Sequence, residues 1–269
     1  MPNAWITLRH QPPYRSASFA DGLQAAGFTP QLRFPQPNEV KKEDVVVTWN
    51  LNPRYRGPAM AAKNIGARLI VAENGYIQKY HDLEPYYALA RDGHNGAGFW
   101  YVGAEDRWAK LEQPLYKWQD NPKGHILIAD QRGIGSDIMR CPPIFADNIV
   151  HKIKRIFAKH DKRNIPEIRI RTHPGRHLPK NTLAEDLRGA RAVVTWASNV
   201  ANVAVQVGLP TFRIAPYHVN EAVLDNLDHL IDPPHTDRIE AFKKLAWAQW
   251  SLAEIQDGTA FKNLLRDSQ

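Results

Sequence analysis

Residues 168–216 read IRIRTHPGRHLPKNTLAEDLRGARAVVTWASNVANVAVQVGLPTFRIAP, and this stretch decides the fold class. Short apolar runs rich in β-branched residues predict three strands. The first alternates apolar with basic residues and stops at a His-Pro-Gly turn. The predicted strands are Ile168–Thr172, Ala192–Thr195 and Thr211–Ile214.

Two amphipathic segments separate these strands and predict helices. One covers Leu183–Leu187; the other begins at Ser198 or Asn199 and reaches Val207, where Gly208 ends it. A β-α-β-α-β run of this kind forms a parallel sheet, and ligands bind beyond the carboxyl ends of its strands. The predicted site therefore contains the residues that follow two strand ends, 172–174 and 195–199.

An anion fits this edge. Backbone N–H groups at the start of the second helix and the helix dipole favour negative charge there. Arg171, His173 and Arg176 add hydrogen-bond donors from the neighbouring strand end. A plainer interpretation stays open, in which Ser198 and Asn199 only cap their helix and the His-Pro pair only forms a tight turn.

The His-Pro turn, the Leu-rich helix and the segment VVTWASNVANVAVQVGLPTF together resemble the nucleotide-sugar-binding half of GT-B glycosyltransferases. The segment is most similar to the capsule-polysaccharide (Kdo-transferase-like) group and its phage-borne relatives. This resemblance implies that the donor nucleotide and its phosphates face His173, Pro174, Thr195, Ser198 and Asn199. Many GT-B enzymes carry a glutamate in this helix where Asn202 or Gln206 stands here, so the sugar nucleotide stays open.

The loop after the predicted strand His125–Ala129 adds a second part of the donor site. Gly133 and Gly135 form a Gly-x-Gly pair, and we interpret the loop as a backbone cradle for donor phosphates. Its predicted donor-binding residues are Arg132, Gly133, Gly135 and Ser136. The alternative is a dinucleotide-dependent oxidoreductase, although Ile138 stands at the third glycine position of that fingerprint.

The first part of the chain repeats the β-α-β-α-β pattern. Its predicted elements are a strand at Ala4–Leu8, a helix at Ser16–Ala26, a strand at Asp44–Trp49, a helix at Pro58–Ile65 and a strand at Arg68–Ala72. The pattern therefore predicts two Rossmann-like doubly wound domains, 1–120 and 121–269. The GT-B resemblance implies that they face each other across a cleft. The second domain includes predicted C-terminal helices at Asp237–Ala253 and Thr259–Leu265, which the GT-B resemblance implies could return to the first domain.

Composition and charge limit the kind of partner, the disulfide content and the cellular compartment. The 269 residues carry a formal charge of +7 with a pI of about 9.4, which favours an anionic partner. Cys141 is the single cysteine, so the chain has no disulfide framework. Without a run near 18 apolar residues or a basic leader, we expect a cytoplasmic protein with no membrane span. The phage-like resemblance implies that this cytoplasm is that of a bacterial host.

Metal and serine-hydrolase chemistry have no sequence support. His173 and His177 cannot align on a helix across Pro174 and Gly175, and neither an Asp-x-Asp pair at a strand end nor a Gly-x-Ser-x-Gly motif occurs. We therefore expect metal-independent glycosyl transfer with no cofactor beyond the nucleotide-sugar co-substrate. The general base is expected in the first domain, with Asp92 as first choice and Glu73 and His94 as alternatives.

The acceptor is predicted from charge. Residues 151–180 contain ten Lys or Arg and two acidic residues, a formal charge of +8. This charge and the phage-like resemblance favour DNA with hydroxymethylated pyrimidines; the alternative acceptor is a surface polysaccharide. A non-catalytic nucleic-acid-binding protein and a merely solvated basic face also stay open. The predicted acceptor or DNA contacts are Arg54, Arg56, Asn95, Lys152, Arg155, Lys159 and Arg163.

Overall fold

A computed structural model describes residues 1–9, 13–77, 86–160 and 165–266 of the chain. It divides into two compact units, Met1–Leu111 joined by the segment from Lys243 onward, and Glu112–Phe242. Each unit contains one sheet flanked by helices, so the predicted α/β class is confirmed. No helix in these described ranges is both long and apolar enough to cross a membrane.

The strands and helices follow in chain order. The strands are β1 (Asn3–Ile6), β2 (Thr29–Gln31), β3 (Val45–Trp49), β4 (Arg68–Asn74), β5 (Tyr86–Arg91), β6 (His125–Ala129), β7 (Ile168–Arg171), β8 (Ala190–Thr195), β9 (Thr211–Arg213) and β10 (Gln249–Ser251). The helices are α1 (Pro13–Ala25), α2 (Arg56–Ile65), α3 (Arg107–Lys110), α4 (Phe145–His160), α5 (Leu183–Leu187), α6 (Val200–Gln206), α7 (Arg238–Ala246), α8 (Leu252–Gln256) and α9 (Thr259–Leu265).

The sheet of the first unit is mixed, with the order β10-β5-β4-β3-β1-β2. β2, β1, β3 and β4 are parallel, as the predicted β-α-β-α-β pattern requires. β5 then pairs antiparallel with β4, and β10 pairs antiparallel with β5. This reversal decides where the residues after β5 lie, and the sequence pattern did not predict it.

The C-terminal segment belongs to the first unit. The helix predicted over Asp237–Ala253 ends at Ala246 because the chain then extends into β10. Trp250 in β10 and Phe261 in α9 are fully buried in the core that α1 and β1 also form. The observed division therefore differs from the predicted boundary at residue 120, since apolar side chains after residue 242 complete the core of the first unit.

The sheet of the second unit is parallel throughout, with the order β7-β6-β8-β9. Strand alternation sends Ile126 and Ile128 to one face and Leu127 to the other. α4 covers the first face with Ile153 and Phe157, and α5 and α6 cover the second. Both faces of the central strands β6 and β8 are therefore covered, whereas Arg169 and Ile170 of the edge strand β7 are exposed.

The contact between α1 and α8 supplies a test of this fold. A Cβ added to Gly22 would lie 1.7 Å from the carbonyl oxygen of Ile255, a backbone atom that cannot rotate away. Gly22→Ala should therefore lower the melting temperature, because overpacking costs about 1–3 kcal/mol and outweighs a helix-propensity gain of about 1 kcal/mol.

Gly57→Ala is the matched control for this substitution. Gly57 is also helical, and a Cβ there meets nothing within 4 Å, so this variant should be as stable as wild type or more stable. Thermal unfolding followed by circular dichroism measures both variants. Equal melting temperatures would contradict the packing of the C-terminal segment against α1.

Candidate functional site

The carboxyl ends of β6, β7 and β8 bring three loops together at one edge of the second unit. Asp130 and Arg132 follow β6, and His173 and Arg176 follow β7. Arg132 lies over the turn after β7, since a Cβ on Gly175 would meet its guanidinium nitrogen at 2.7 Å. Arg176 donates to Asp130 at 3.1 Å. The structure thus brings three of the predicted donor-binding side chains into one cationic cluster, which we call the Arg132 cluster (Arg132, His173 and Arg176).

His173 is held in a defined state within this cluster. Its Nδ1 accepts a hydrogen bond from the Gly175 N–H at 2.9 Å, so in the neutral ring the proton is on Nε2. Burial lowers the pKa of His173 below the ordinary imidazole value, and the neighbouring Arg132 lowers it further, although Asp130 opposes them. His173 is therefore a neutral donor at physiological pH, and Pro174, exposed beside it, shapes the turn.

Arg171 has a different environment from the predicted one. Its guanidinium forms an ion pair with Asp186 of α5 and donates to the Asn181 carbonyl at 2.9 Å. Both charged side chains are only 11% exposed. Because breaking a buried pair leaves an uncompensated charge, this geometry gives Arg171 the structural role of fixing α5 to β7.

Backbone N–H groups at the start of α6 already donate hydrogen bonds to side chains of the same turn. Thr195 is fully buried, and its hydroxyl accepts from the Ser198 N–H at 3.2 Å and donates to the Ala129 carbonyl. The Ser198 hydroxyl accepts from the Val200 N–H at 3.3 Å, and Asn199 is the N-cap residue. Two of the amides predicted to bind an anion, those of Ser198 and Val200, therefore already have acceptors. The Asn199 side chain caps no helix N–H and accepts from the Asn202 side chain instead.

The glycines after β6 form a turn rather than a dinucleotide fingerprint. Gly133 and Gly135 have φ values of +71° and +125°, which favour glycine, and a Cβ on Gly133 would meet the Cys141 carbonyl at 2.9 Å. Ser136, half-buried, accepts from the Met139 N–H through its carbonyl. The dinucleotide fingerprint requires a helix directly after the glycines, but α4 begins only at Phe145. The geometry therefore does not favour the oxidoreductase alternative.

Two residues at this edge were missed by sequence reasoning. The Gln131 side chain accepts from the Ala197 N–H at 2.6 Å and so ties the β6 loop to the β8 loop. His218 lies between the Ser198 carbonyl and the Asn220 N–H, and burial lowers its pKa to about 4. His218 follows β9, so the strand-end rule that selected His173 also applies to it.

In the first unit, Glu73 and His94 come together. Glu73 is the penultimate residue of β4, and the Tyr76 hydroxyl donates to its carboxylate. The Asn95 N–H donates to the Tyr76 oxygen at 3.2 Å. His94 is 7% exposed, and its Nδ1 has no hydrogen-bond partner among the described residues. Burial raises the pKa of Glu73, against the opposing effects of His94 and Tyr76.

Asp92, the first choice for the base, lies elsewhere. Because β5 is antiparallel to β4, its end at Arg91 pairs with Ile70, and the Asp92 N–H donates to the Leu69 carbonyl at 2.9 Å. Four strand residues, about 13 Å, separate that position from Glu73. The Asp92 side chain is 64% exposed. The structure thus groups Glu73 with His94 and leaves Asp92 at the other edge.

The glycines of the loop after β5 are explained by packing inside the loop. A Cβ on Gly93 would meet the Ala97 carbonyl at 2.3 Å, and one on Gly98 would meet the Ala90 Cβ at 2.6 Å. These close approaches allow the chain to reverse after β5 and return Asn95 towards Tyr76. The glycines therefore position His94 and Asn95 rather than admit a ligand to the backbone.

The predicted acceptor residues are distributed over both units. Lys152, Arg155 and Lys159 are exposed on α4, while Arg163 lies outside the described residues. In a parallel β-α-β crossover the helix runs against its strands, so Lys159, near the end of α4, lies towards the amino ends of the strands. Arg54 and Arg56 are exposed at the start of α2 in the first unit, where Arg54 lies 5.2 Å from the Phe34 ring.

A cavity of about 500 Å³ also lies at the amino ends of the second sheet, lined by Asn121, Arg191 and Pro210 among others. The Arg191 guanidinium donates to the Pro122 and Ile231 carbonyls and so fixes local loops. This cavity lies at the amino ends of the strands. The Arg132 cluster lies beyond their carboxyl ends, where parallel sheets bind ligands. We therefore take the Arg132 cluster, not the cavity, as the candidate site.

The fold resembles two solved structures from Thermosulfurimonas dismutans. KpsC, beta Kdo 2,7 transferase, matches with a TM-score of 0.52 and 10% identity over 96% of this chain and 99% of that chain. KpsC, beta Kdo 2,4 transferase, matches with a TM-score of 0.51 and 11% identity over 91% of this chain and 89% of that chain. The fold is that of these Kdo transferases.

The resemblance predicted from the segment 168–216 is thus confirmed for the Kdo-transferase-like fold. At such low identity the likeness concerns the fold alone. The relation to phage-borne proteins stays a prediction. The sequence matches no protein-family model and no curated protein.

The state of His173 can be tested by titration. We expect its pKa, measured by the histidine ring resonances in NMR, to lie below the ordinary value, because burial and Arg132 both disfavour the imidazolium. Arg132→Gln should raise this pKa, and Asp130→Asn should lower it. Arg140→Gln, which removes an exposed arginine paired with Asp137, is the control and should leave it unchanged. If the pKa of His173 were the same in Arg132→Gln and in wild type, Arg132 would have no electrostatic effect on His173.

Proposed function

We propose that this protein is a glycosyltransferase that moves a sugar from a nucleotide-sugar donor to a hydroxyl group of a saccharide acceptor. The observation that carries the proposal is the Arg132 cluster, found beyond the carboxyl ends of parallel strands in a chain with a Kdo-transferase fold. Parallel sheets of this kind bind nucleotides at that edge.

The Arg132 cluster suits the donor phosphates. Arg132 presents a planar guanidinium, which matches phosphate oxygens in a bidentate manner. His173 adds a neutral Nε2–H donor, and Arg176, whose charge is shared with Asp130, adds partial positive charge. In the reaction the bond from the anomeric carbon to the phosphate oxygen breaks, and these donors stabilise the negative charge that develops on the phosphate.

Glu73 replaces Asp92 as the proposed general base. As the acceptor oxygen bonds to the anomeric carbon, its proton passes to the Glu73 carboxylate. Burial raises the pKa of Glu73, which makes its carboxylate a stronger base near neutral pH, and His94 lies close enough to oppose part of this shift. The Asp92 side chain is instead mostly exposed. The predicted GT-B cleft, metal independence, absence of a cofactor and cytoplasmic location all stay predictions.

The comparisons favour a saccharide over DNA as acceptor. Both solved structures are named as Kdo transferases, and neither name refers to DNA. Of the basic residues in 151–180, Arg171 is paired with Asp186 and Arg176 belongs to the Arg132 cluster, while those exposed on α4 are Lys152, Lys154, Arg155 and Lys159. A solvated basic face accounts for these lysines and arginines, as it does for most exposed helices of this charge. We therefore propose the surface-polysaccharide alternative as the function.

Transfer assays test this function. Purified protein with nucleotide sugars and an oligosaccharide acceptor should release free nucleotide, whereas hydroxymethylpyrimidine DNA should not be modified. Arg132→Gln and His173→Ala should each weaken donor binding by about tenfold, the size expected for one lost charged hydrogen bond. Isothermal titration calorimetry measures the binding.

Arg140→Gln again serves as the control, since it removes an arginine from the same loop outside the Arg132 cluster. It should bind the donor as wild type does. Modification of DNA without transfer to the oligosaccharide would restore the DNA acceptor. Donor binding that is unchanged in both site variants would remove the Arg132 cluster from the function.

Substitution of the two acidic residues tests the base. Glu73→Gln should lower the transfer rate by about a hundredfold or more with little change in donor affinity. It should also raise the melting temperature. Burial raises the pKa of Glu73 in the folded state, so ionisation of Glu73 lowers the free energy of unfolding as pH rises, and the glutamine variant lacks this effect. Asp92→Asn should transfer at a rate close to that of wild type. The reverse pattern would return the role to Asp92.

A further inference from the structure

A chain of two hydrogen bonds ends on Glu73. The Asn95 N–H donates to the Tyr76 oxygen at 3.2 Å, and the Tyr76 hydroxyl in turn donates to Oε1 of Glu73. Tyr76 is 7% exposed, so its phenol is almost completely shielded from water. Each group in this series therefore donates to the next, from the backbone amide to the phenol and from the phenol to the carboxylate.

From this geometry we infer that Tyr76 is a positioning residue that fixes the Glu73 carboxylate for proton transfer, an inference that rests on the proposed function. Tyr76 itself does not touch substrate in this role. It acts only through the orientation and proton affinity of Glu73.

The direction of the chain follows from the chemistry of a phenol. A tyrosine oxygen carries one proton and can accept from one donor while it donates to another group. Because the Asn95 N–H occupies an acceptor position, the single phenolic proton is directed to Glu73. Oε1 of Glu73 thus accepts the hydrogen bond from Tyr76, and Oε2 is the oxygen left to take the proton from the hydroxyl group of the saccharide acceptor.

Fixing the carboxylate has a kinetic advantage. A free glutamate side chain has three rotatable bonds, and ordering it at each turnover costs entropy. A hydrogen bond that already holds the carboxylate provides this order before substrate binds. The loop after β5 supplies the anchor, since its tight return places the Asn95 amide at the phenol.

Electrostatics keep the phenol in the donating form. The titratable groups that affect Glu73 among the described residues are His94 and Tyr76. Burial raises the pKa of Tyr76 well above its ordinary value, and the charge of Glu73 raises it further, so the hydroxyl stays protonated at physiological pH. The Tyr76 hydrogen bond stabilises the carboxylate form of Glu73 and so lowers the pKa of Glu73 against the opposing effect of burial.

Tyr76→Phe tests this role because it removes the hydroxyl and keeps the ring. The pKa of Glu73 should rise by about one pH unit, the value that corresponds to one lost hydrogen bond of about 1.4 kcal/mol. The pKa is read from ¹³C NMR of side-chain-labelled glutamate, with the Glu73 signal identified by its loss in Glu73→Gln. The acidic limb of the kcat/KM profile should move up by the same amount, with lower kcat and unchanged KM for the donor.

Two further proteins sharpen the result. Tyr55→Phe is the matched control, because Tyr55 is a fully buried tyrosine of the same unit that has no part in the site, and it should shift neither measurement. Incorporation of 3-fluorotyrosine at position 76 keeps the hydroxyl but makes it a stronger donor. The pKa of Glu73 should then fall, opposite to the effect of Tyr76→Phe.

The NMR titration needs no turnover, so it separates this inference from the proposed function. A Glu73 pKa that is the same in wild type, Tyr76→Phe and the fluorotyrosine protein would overturn the positioning role, whatever the transfer rates. A pKa that shifts while the pH profile of transfer stays fixed would also overturn it. Full transfer by Glu73→Gln would instead refute the proposed base, and with it the catalytic meaning of the Tyr76 contact.

Discussion

Parallel strands cannot be joined by tight turns, and the rest of the second unit depends on this constraint. Between β6, β7 and β8 the chain must cross back over the sheet each time, so every strand ends at the same edge. The polar residues that follow each strand are collected there without any attraction between them. Asp130 and Arg176 are far apart in sequence, yet their side chains meet at 3.1 Å because β6 and β7 are neighbours in parallel pairing.

The same constraint explains which parts of the site were predictable. The positions of His173 and Arg132 follow from strand ends and parallel pairing, both of which the apolar pattern indicates. The position of Asp92 does not, because β5 is antiparallel, and an apolar run such as Tyr86–Arg91 has the same composition in either direction. The partner of Arg171 could not be predicted either, because its ion pair with Asp186 depends on how α5 packs against the sheet and not on the sequence of the strand. The helix ends predicted at Ile65 and Val207 lie within two residues of the observed ends.

Glu73 and its surroundings illustrate a conflict between stability and chemistry. A partly buried carboxylate with one phenol and one imidazole as neighbours is disfavoured in its ionised form, and an uncharged residue of the same shape would suit the core better. The chain nonetheless devotes Tyr76, His94 and a loop with two closely packed glycines to this one group. Buried groups of perturbed pKa concentrate at functional sites, which gives this arrangement a physical rationale.

The return of the C-terminal segment to the first unit has a consequence for the order of events on the ribosome. Glu112–Phe242 is continuous in sequence and has its whole sheet available as soon as it emerges. The first unit, although synthesised earlier, lacks β10 and the side chains of Trp250 and Phe261 until residues beyond 242 leave the exit tunnel. The core of the first unit is therefore completed only after the whole intervening second unit has been translated, so the unit that is synthesised first is the last to finish folding.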